Sequence, residues 1–169
     1  MELKEKILYL WNDTICEGTN RKALKSFMKA NRLWHKGNKF SQLYSMLIHN
    51  RNIKKYNCEI YPQSILGEGL YIPHCVGIVI GSTTVIGKNC TIYPNVVFGA
   101  KYSPNQKNPN GRRHALVGDD CVIGANTSII GDITIGNNVT IGAGSIITKD
   151  IPDNAVVVGT NNIINIKET

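Results

Sequence analysis

Nowhere in the 169 residues does an apolar run approach the roughly 20 residues of a membrane span, and the opening MELKEKILYLWND lacks the uninterrupted apolar core of a signal peptide. Both absences make the cytoplasm the expected compartment. The five cysteines, Cys16, Cys58, Cys75, Cys90 and Cys121, are odd in number and contain no C-x-x-C pair, which argues against a disulfide framework and against a structural zinc site. Proline is missing from residues 1–57, so nothing there interrupts a helix. Acidic residues are scarce in the same stretch: it holds twelve Lys or Arg against four Asp or Glu, whereas residues 58–169 hold seven against eight. No nucleic-acid-binding motif accompanies this charge, so nucleic acid is not an expected partner. A solvated helical face, attraction to anionic ligands, and peripheral association with an anionic membrane surface remain open for the basic segment. The length fits one domain with a continuous core.

What the chain does contain is a beat of six. An aliphatic residue returns at Val117, Ile123, Ile129, Ile135, Ile141 and Ile147, usually with Gly straight after it (Gly118, Gly124, Gly136, Gly142). An earlier block runs Ile60, Leu66, Ile72, slips by two, and resumes at Ile80, Ile86, Ile92 and Phe98. Six matches neither the helical period nor simple strand alternation. Each hexad therefore reads as one short strand plus a turn, and three hexads as one triangular coil. Cys90 and Cys121 lie four residues after a repeat aliphatic, in the slot filled elsewhere by Thr84, Val96, Thr127, Val139 and Ser145, and are expected in the core.

The expected organisation is an N-terminal helical segment over 1–57, a β-helix over 58–159 with a loop excursion at 100–113, and a tail over 160–169. In the helical segment Leu3, Ile7, Leu8, Leu10 and Trp11 form one short amphipathic stretch. Leu24, Phe27, Met28 and Trp34 form a second, which Asn31 interrupts. Phe40, Leu43, Tyr44, Met46 and Leu47 form a firmer one, with Gly37 before it as a breaker and Ser41 as its cap. These helices are expected to pack on the first coil. The excursion, AKYSPNQKNPNGRR, is rich in Pro, Asn and Gly. The tail is expected to cap the last coil or to pair with a neighbouring chain.

The ordered segments IPH, VVFGA, RRH, IGANTSIIGDITIG and IGAGSIITKDIP resemble the serine acetyltransferase branch of the hexapeptide-repeat acyltransferases over about two thirds of the chain. The resemblance implies a left-handed parallel β-helix, a homotrimer, and acetyl-CoA as co-substrate in the groove between subunits. It assigns His74 as general base and Glu59, fifteen positions earlier, as the carboxylate that orients it. Arg113 and His114 match the acceptor-binding pair, and Arg112 is left to solvent. Gly99, Ala100, Gly124, Ala125 and Ala143 match the donor-binding positions, with Lys149 a candidate for the CoA phosphates.

The chemistry agrees with those assignments. Acetyl transfer from a thioester to an alcohol needs a base for the hydroxyl proton, and His is the usual one near neutrality. The repeat region contains two histidines, and both sit where the beat breaks: His74 in the slip, His114 at the end of the excursion. A metal-dependent hexapeptide enzyme would need a third imidazole at a subunit interface, so no metal is expected. Cys75 beside His74 suggests an acyl-cysteine, but adjacent side chains on extended backbone face opposite ways, which favours direct transfer. The residue before His74 is Pro73, where serine acetyltransferases typically carry an Asp that holds the amino group of serine. Losing a buried charged partner costs about 3 to 5 kcal/mol. The favoured acceptor is therefore a sugar hydroxyl of a surface or capsular polysaccharide or its precursor, with serine O-acetylation and a non-catalytic scaffold as alternatives.

Overall fold

The computed structural model describes residues 3–101 and 111–167, with side chains described at Gly18 and from Asn20 onward. The sequence-derived stripe from Leu3 to Trp11 and most of the excursion at 100–113 lie outside the described side chains and residues. Two helices, α1 (Leu3–His35) and α2 (Lys39–Tyr56), precede fourteen short strands. Gly37, at φ +76°, turns the chain between the helices. The cap of α2 is Asn38, not Ser41: the Asn38 side chain accepts from the Ser41 N–H, and the Ser41 hydroxyl donates back to the Asn38 carbonyl.

Three parallel sheets form the walls of a triangular prism. The first wall stacks β1 (Glu59–Ile60), β3 (Val79–Ile80), β6 (Val97–Gly99), β9 (Ser128–Ile130) and β12 (Ile146–Ile147). The second stacks β2 (Ile65–Leu66), β4 (Val85–Ile86), β7 (Leu116–Val117) and β10 (Thr134–Ile135). The third stacks β5 (Thr91–Ile92), β8 (Val122–Ile123), β11 (Thr140–Ile141) and β13 (Ala155–Val158), with β14 (Asn162–Ile166) on its edge. Ile80 pairs with Phe98 and Ile129 with Ile147, eighteen residues on in each case, which is three hexads per coil. Ile60 pairs with Ile80, twenty residues on, so the slip of two is absorbed within the first coil.

The repeat aliphatics fill the prism. Ile80, Ile86, Ile92, Phe98, Ile123, Ile129, Ile135, Ile141 and Ile147 are all essentially inaccessible, and Thr84, Cys90, Val96, Cys121, Thr127, Val139 and Ser145 occupy the second inward slot. At the corners the backbone turns through positive φ, mostly at Asn, and these side chains stack in ladders: Asn95 on Asn126 at 3.1 Å, Asn138 on Asn154 at 2.8 Å. Glycines after the aliphatics are a stacking requirement. A Cβ on Gly87 would lie 2.5 Å from the Gly118 carbonyl oxygen one coil up.

The helices dock as expected, but through a polar face. The first coil presents carbonyls with no further coil to bond them, and an unpaired strand edge needs partners. Asn31 supplies two, donating to the carbonyls of Pro62 (3.0 Å) and Ser64 (2.7 Å), so the residue that breaks the apolar stripe of α1 is the one that docks it. His49 bonds the Ile60 carbonyl through Nδ1 at 3.1 Å. On α2 the buried side is Ser41, Ser45, Ile48, His49 and Asn52. Phe40, Leu43, Tyr44 and Leu47 face outward, against the sequence expectation, and of that stripe Met46 alone turns inward, to Gln63. Of the two expectations for the tail, the structure takes the first: β14 runs antiparallel along β13, the last coil strand of the third wall, and Lys167 ties down the end by bonding Asn138.

Candidate active site

His74 sits at the corner leading from the third wall into the first, the entry edge of the first wall. Its side chain is exposed, while that of Cys75 points inward and is buried, the opposition expected of adjacent residues. Cys75 donates its thiol proton to Cys58 at 3.2 Å; this bond and burial push its ionisation well above the ordinary thiol range. A thiol so held is no nucleophile near neutral pH.

A residue that sequence reasoning missed fixes this corner. Asn20 of α1 donates to the Pro73 carbonyl and accepts from the Cys75 N–H at 3.2 Å, so one carboxamide grips the backbone on both sides of His74. Asn20, Arg21, Leu24, Tyr71, Ile72 and Pro73 line a small open cleft beside that grip. No motif pointed to Asn20, because its partners are backbone atoms 53 and 55 residues away.

Glu59 begins the first strand of the same wall, but no hydrogen bond joins it to His74 among the described residues. Its carboxylate meets the Tyr61 hydroxyl, whose ionisation it raises, and lies close enough to His49 to favour the charged ring there. The Glu59–His74 pairing implied by the resemblance thus has no hydrogen bond to carry it among the described residues of the single chain.

His114 lies on the opposite, exit edge of the first wall, and its protonation can be deduced. The Thr83 hydroxyl oxygen accepts the N–H groups of Arg113 (2.9 Å) and His114 (3.1 Å). Both its lone pairs are occupied, so its own proton goes to His114 Nδ1, 2.8 Å away, where the Thr83 N–H also points. Nδ1 is therefore an acceptor and Nε2 carries the ring proton. Burial, and secondarily the Arg113 charge, hold the imidazole below its ordinary value. His114 is a neutral donor at physiological pH, not a base. Its ring occupies the space of a side chain at Gly81, where a Cβ would lie 2.1 Å from Nε2. Arg113 is exposed; Arg112, expected to meet solvent, pairs instead with Asp132.

The remaining expected residues divide between the same two edges. Gly99, Ala100 and exposed Lys149 lie on the exit edge with Arg113 and His114. Gly124, Ala125 and Ala143 lie on the entry edge with His74. A wall of six residues at about 3.3 Å each is up to about 20 Å wide, far beyond hydrogen-bond reach. Each edge of the wall thus carries one of the two histidines and some of the small residues that the resemblance assigns to the donor.

The folded state disfavours protonation of both His49 and His114, chiefly through burial. Unfolded histidine titrates near 6.5, so the unfolded chain binds more protons below that pH and stability is lost on acidification. The melting temperature is expected to fall between about pH 7.5 and 5.5, and His114→Asn to flatten the slope in a thermal-shift series; an unchanged slope contradicts the assignment.

Residues 114–149 match the bacterial transferase hexapeptide model (six repeats). A serine acetyltransferase of Synechococcus elongatus is 41% identical over 101 residues, 60% of this chain and 39% of its own. The solved Neisseria gonorrhoeae serine acetyltransferase superposes with a TM-score of 0.76 at 33% identity, covering 87% of this chain and 54% of that one. The chain thus carries the hexapeptide repeat and is similar over most of its length to serine acetyltransferases. Its prism is accordingly a left-handed parallel β-helix. The same N. gonorrhoeae enzyme in complex with serine gives a TM-score of 0.70 at 35% identity, with 81% and 53% covered. This hexapeptide protein spans about half or less of the length of these relatives.

Proposed function

We propose that the protein is an acetyl-CoA-dependent O-acetyltransferase working as a closed ring of three copies, with a small hydroxy amino acid, serine first, as acceptor. The placement of the two histidines on opposite edges of one wall carries this reading. A head-to-tail contact sets the entry edge of one copy against the exit edge of the next, and such heterologous contacts close into rings. Each junction then holds one His74, one Arg113–His114 pair and both sets of small residues.

At that junction His74 takes the acceptor's hydroxyl proton while the oxygen attacks the thioester carbonyl. The tetrahedral intermediate collapses, the C–S bond breaks, and the thiolate of CoA leaves with the proton returned by His74. Arg113 offers a bidentate fork, and His114 an Nε2–H, to the carboxylate of the acceptor. Burial of the Cys75 thiol supports direct transfer over an acyl-enzyme.

The acceptor preference departs from the sequence expectation. The relatives compared are serine acetyltransferases, and none of them speaks for polysaccharide modification. One observation keeps a sugar hydroxyl as the second reading: Pro73, Asn20 and Arg21 beside His74 offer no carboxylate to an ammonium group. Thiol release from acetyl-CoA, measured with L-serine, simple sugars and oligosaccharides, separates the two. Serine is expected to turn over at least about tenfold faster, a difference of about 1.4 kcal/mol in barrier; a sugar that outpaces it reverses the order.

A further inference from the structure

The outer face of α2 plays no part in the active-site reading. Phe40 is 87% exposed, Leu43 63%, Tyr44 50% and Leu47 58%, at i, i+3, i+4 and i+7, so four large apolar side chains stand in one stripe. The stripe continues along the same side of the helix into Arg51, Lys54 and Lys55, all exposed. Lys29 of α1 reaches over the Tyr44 ring, 5.6 Å from its centroid. Between Gly18 and Cys58 the chain carries ten Lys or Arg and not one Asp or Glu.

Charge decides what covers this face. A second copy would set Lys29, Arg51, Lys54 and Lys55 against the same four cations, with no acid between Gly18 and Cys58 to offset them, so self-association through this face is repulsive. An apolar stripe continued by lysines and arginines suits an anionic bilayer surface: aromatic and aliphatic groups enter the headgroup boundary, while the cations stay among the phosphates. No described helix is long and apolar enough to cross a membrane, so such contact lies on the surface. We propose that the outer face of α2 seats the protein on anionic membranes.

Vesicle co-sedimentation of the full chain tests this. Phosphatidylcholine vesicles with about 30% phosphatidylglycerol are expected to bind it at least about tenfold better than phosphatidylcholine alone, and raising salt from about 0.1 to 0.5 M to release most of it. Phe40→Ser combined with Leu47→Ser, and separately Lys54→Gln combined with Lys55→Gln, should each weaken binding about tenfold with unchanged circular dichroism. The proposal is overturned by equal binding to neutral vesicles, by no binding, or by full binding of folded variants. It is equally overturned if Phe40→Ser breaks a larger assembly of the chain, which would make a second copy the occupant.

Discussion

Replacing His74 by alanine is expected to lower kcat for acetyl transfer by about a thousandfold, with the KM for acetyl-CoA changed by no more than about threefold. General-base catalysis contributes between about a hundred- and ten-thousandfold, and His74 is the one repeat-region imidazole free to act as base, because His114 has its Nδ1 engaged by Thr83. The ring is exposed and makes no hydrogen bond or ion pair among the described residues, so the melting temperature of His74→Ala is expected to match wild type. Stopped thiol-release kinetics and a thermal melt on the same preparation separate chemistry from folding. Wild-type turnover in His74→Ala would sink the mechanism. Glu59→Gln is a sharper companion: with Glu59 held on Tyr61, kcat is expected to fall by less than about threefold, and a loss of about a hundredfold would show that the carboxylate turns to His74 during turnover.

The hexad beat located the prism, its inward slots and both breaks, because each coil repeats the same local geometry and each aliphatic has one place to go. His74 and His114 stood out for the same reason: repeat logic has no slot for an imidazole. The helical segment was legible as helix but not as a surface. Its amphipathic pattern usually marks the buried side, yet α2 buries Ser41, Ser45 and Asn52, because the first coil offers carbonyls rather than an apolar floor. Asn20 and Thr83 stayed hidden, since a clamp on backbone atoms or on another residue's ring leaves no spacing to read. Handedness was hidden too; parallel crossovers are otherwise right-handed, and the relatives supply it.

The glycines show where a family resemblance and local packing give the same residue for different reasons, and Gly124→Ala separates them. The resemblance makes Gly124 part of the donor groove, where a methyl group would weaken acetyl-CoA binding and leave the fold intact. In the structure a Cβ at Gly124 lies 2.5 Å from the Ala143 N and 2.8 Å from the Gly142 carbonyl carbon, both backbone atoms of the next coil. Those atoms cannot retreat alone: the Gly124 N–H is bonded to the Ile141 carbonyl at 2.8 Å, and the Gly144 N–H to the Ala125 carbonyl at 2.8 Å, so the coils must separate together. Overpacking a tight interior typically costs 1 to 3 kcal/mol, and a clash of this depth against backbone sits at about 3 kcal/mol or more. For a chain of this size that is a drop of about 6 to 12 °C in melting temperature. Ala143→Ser, at an exposed corner on the same edge, has no such clash and is expected to melt as wild type. A Gly124→Ala protein that melts normally but binds acetyl-CoA weakly would return the residue to the donor site and overturn the packing account.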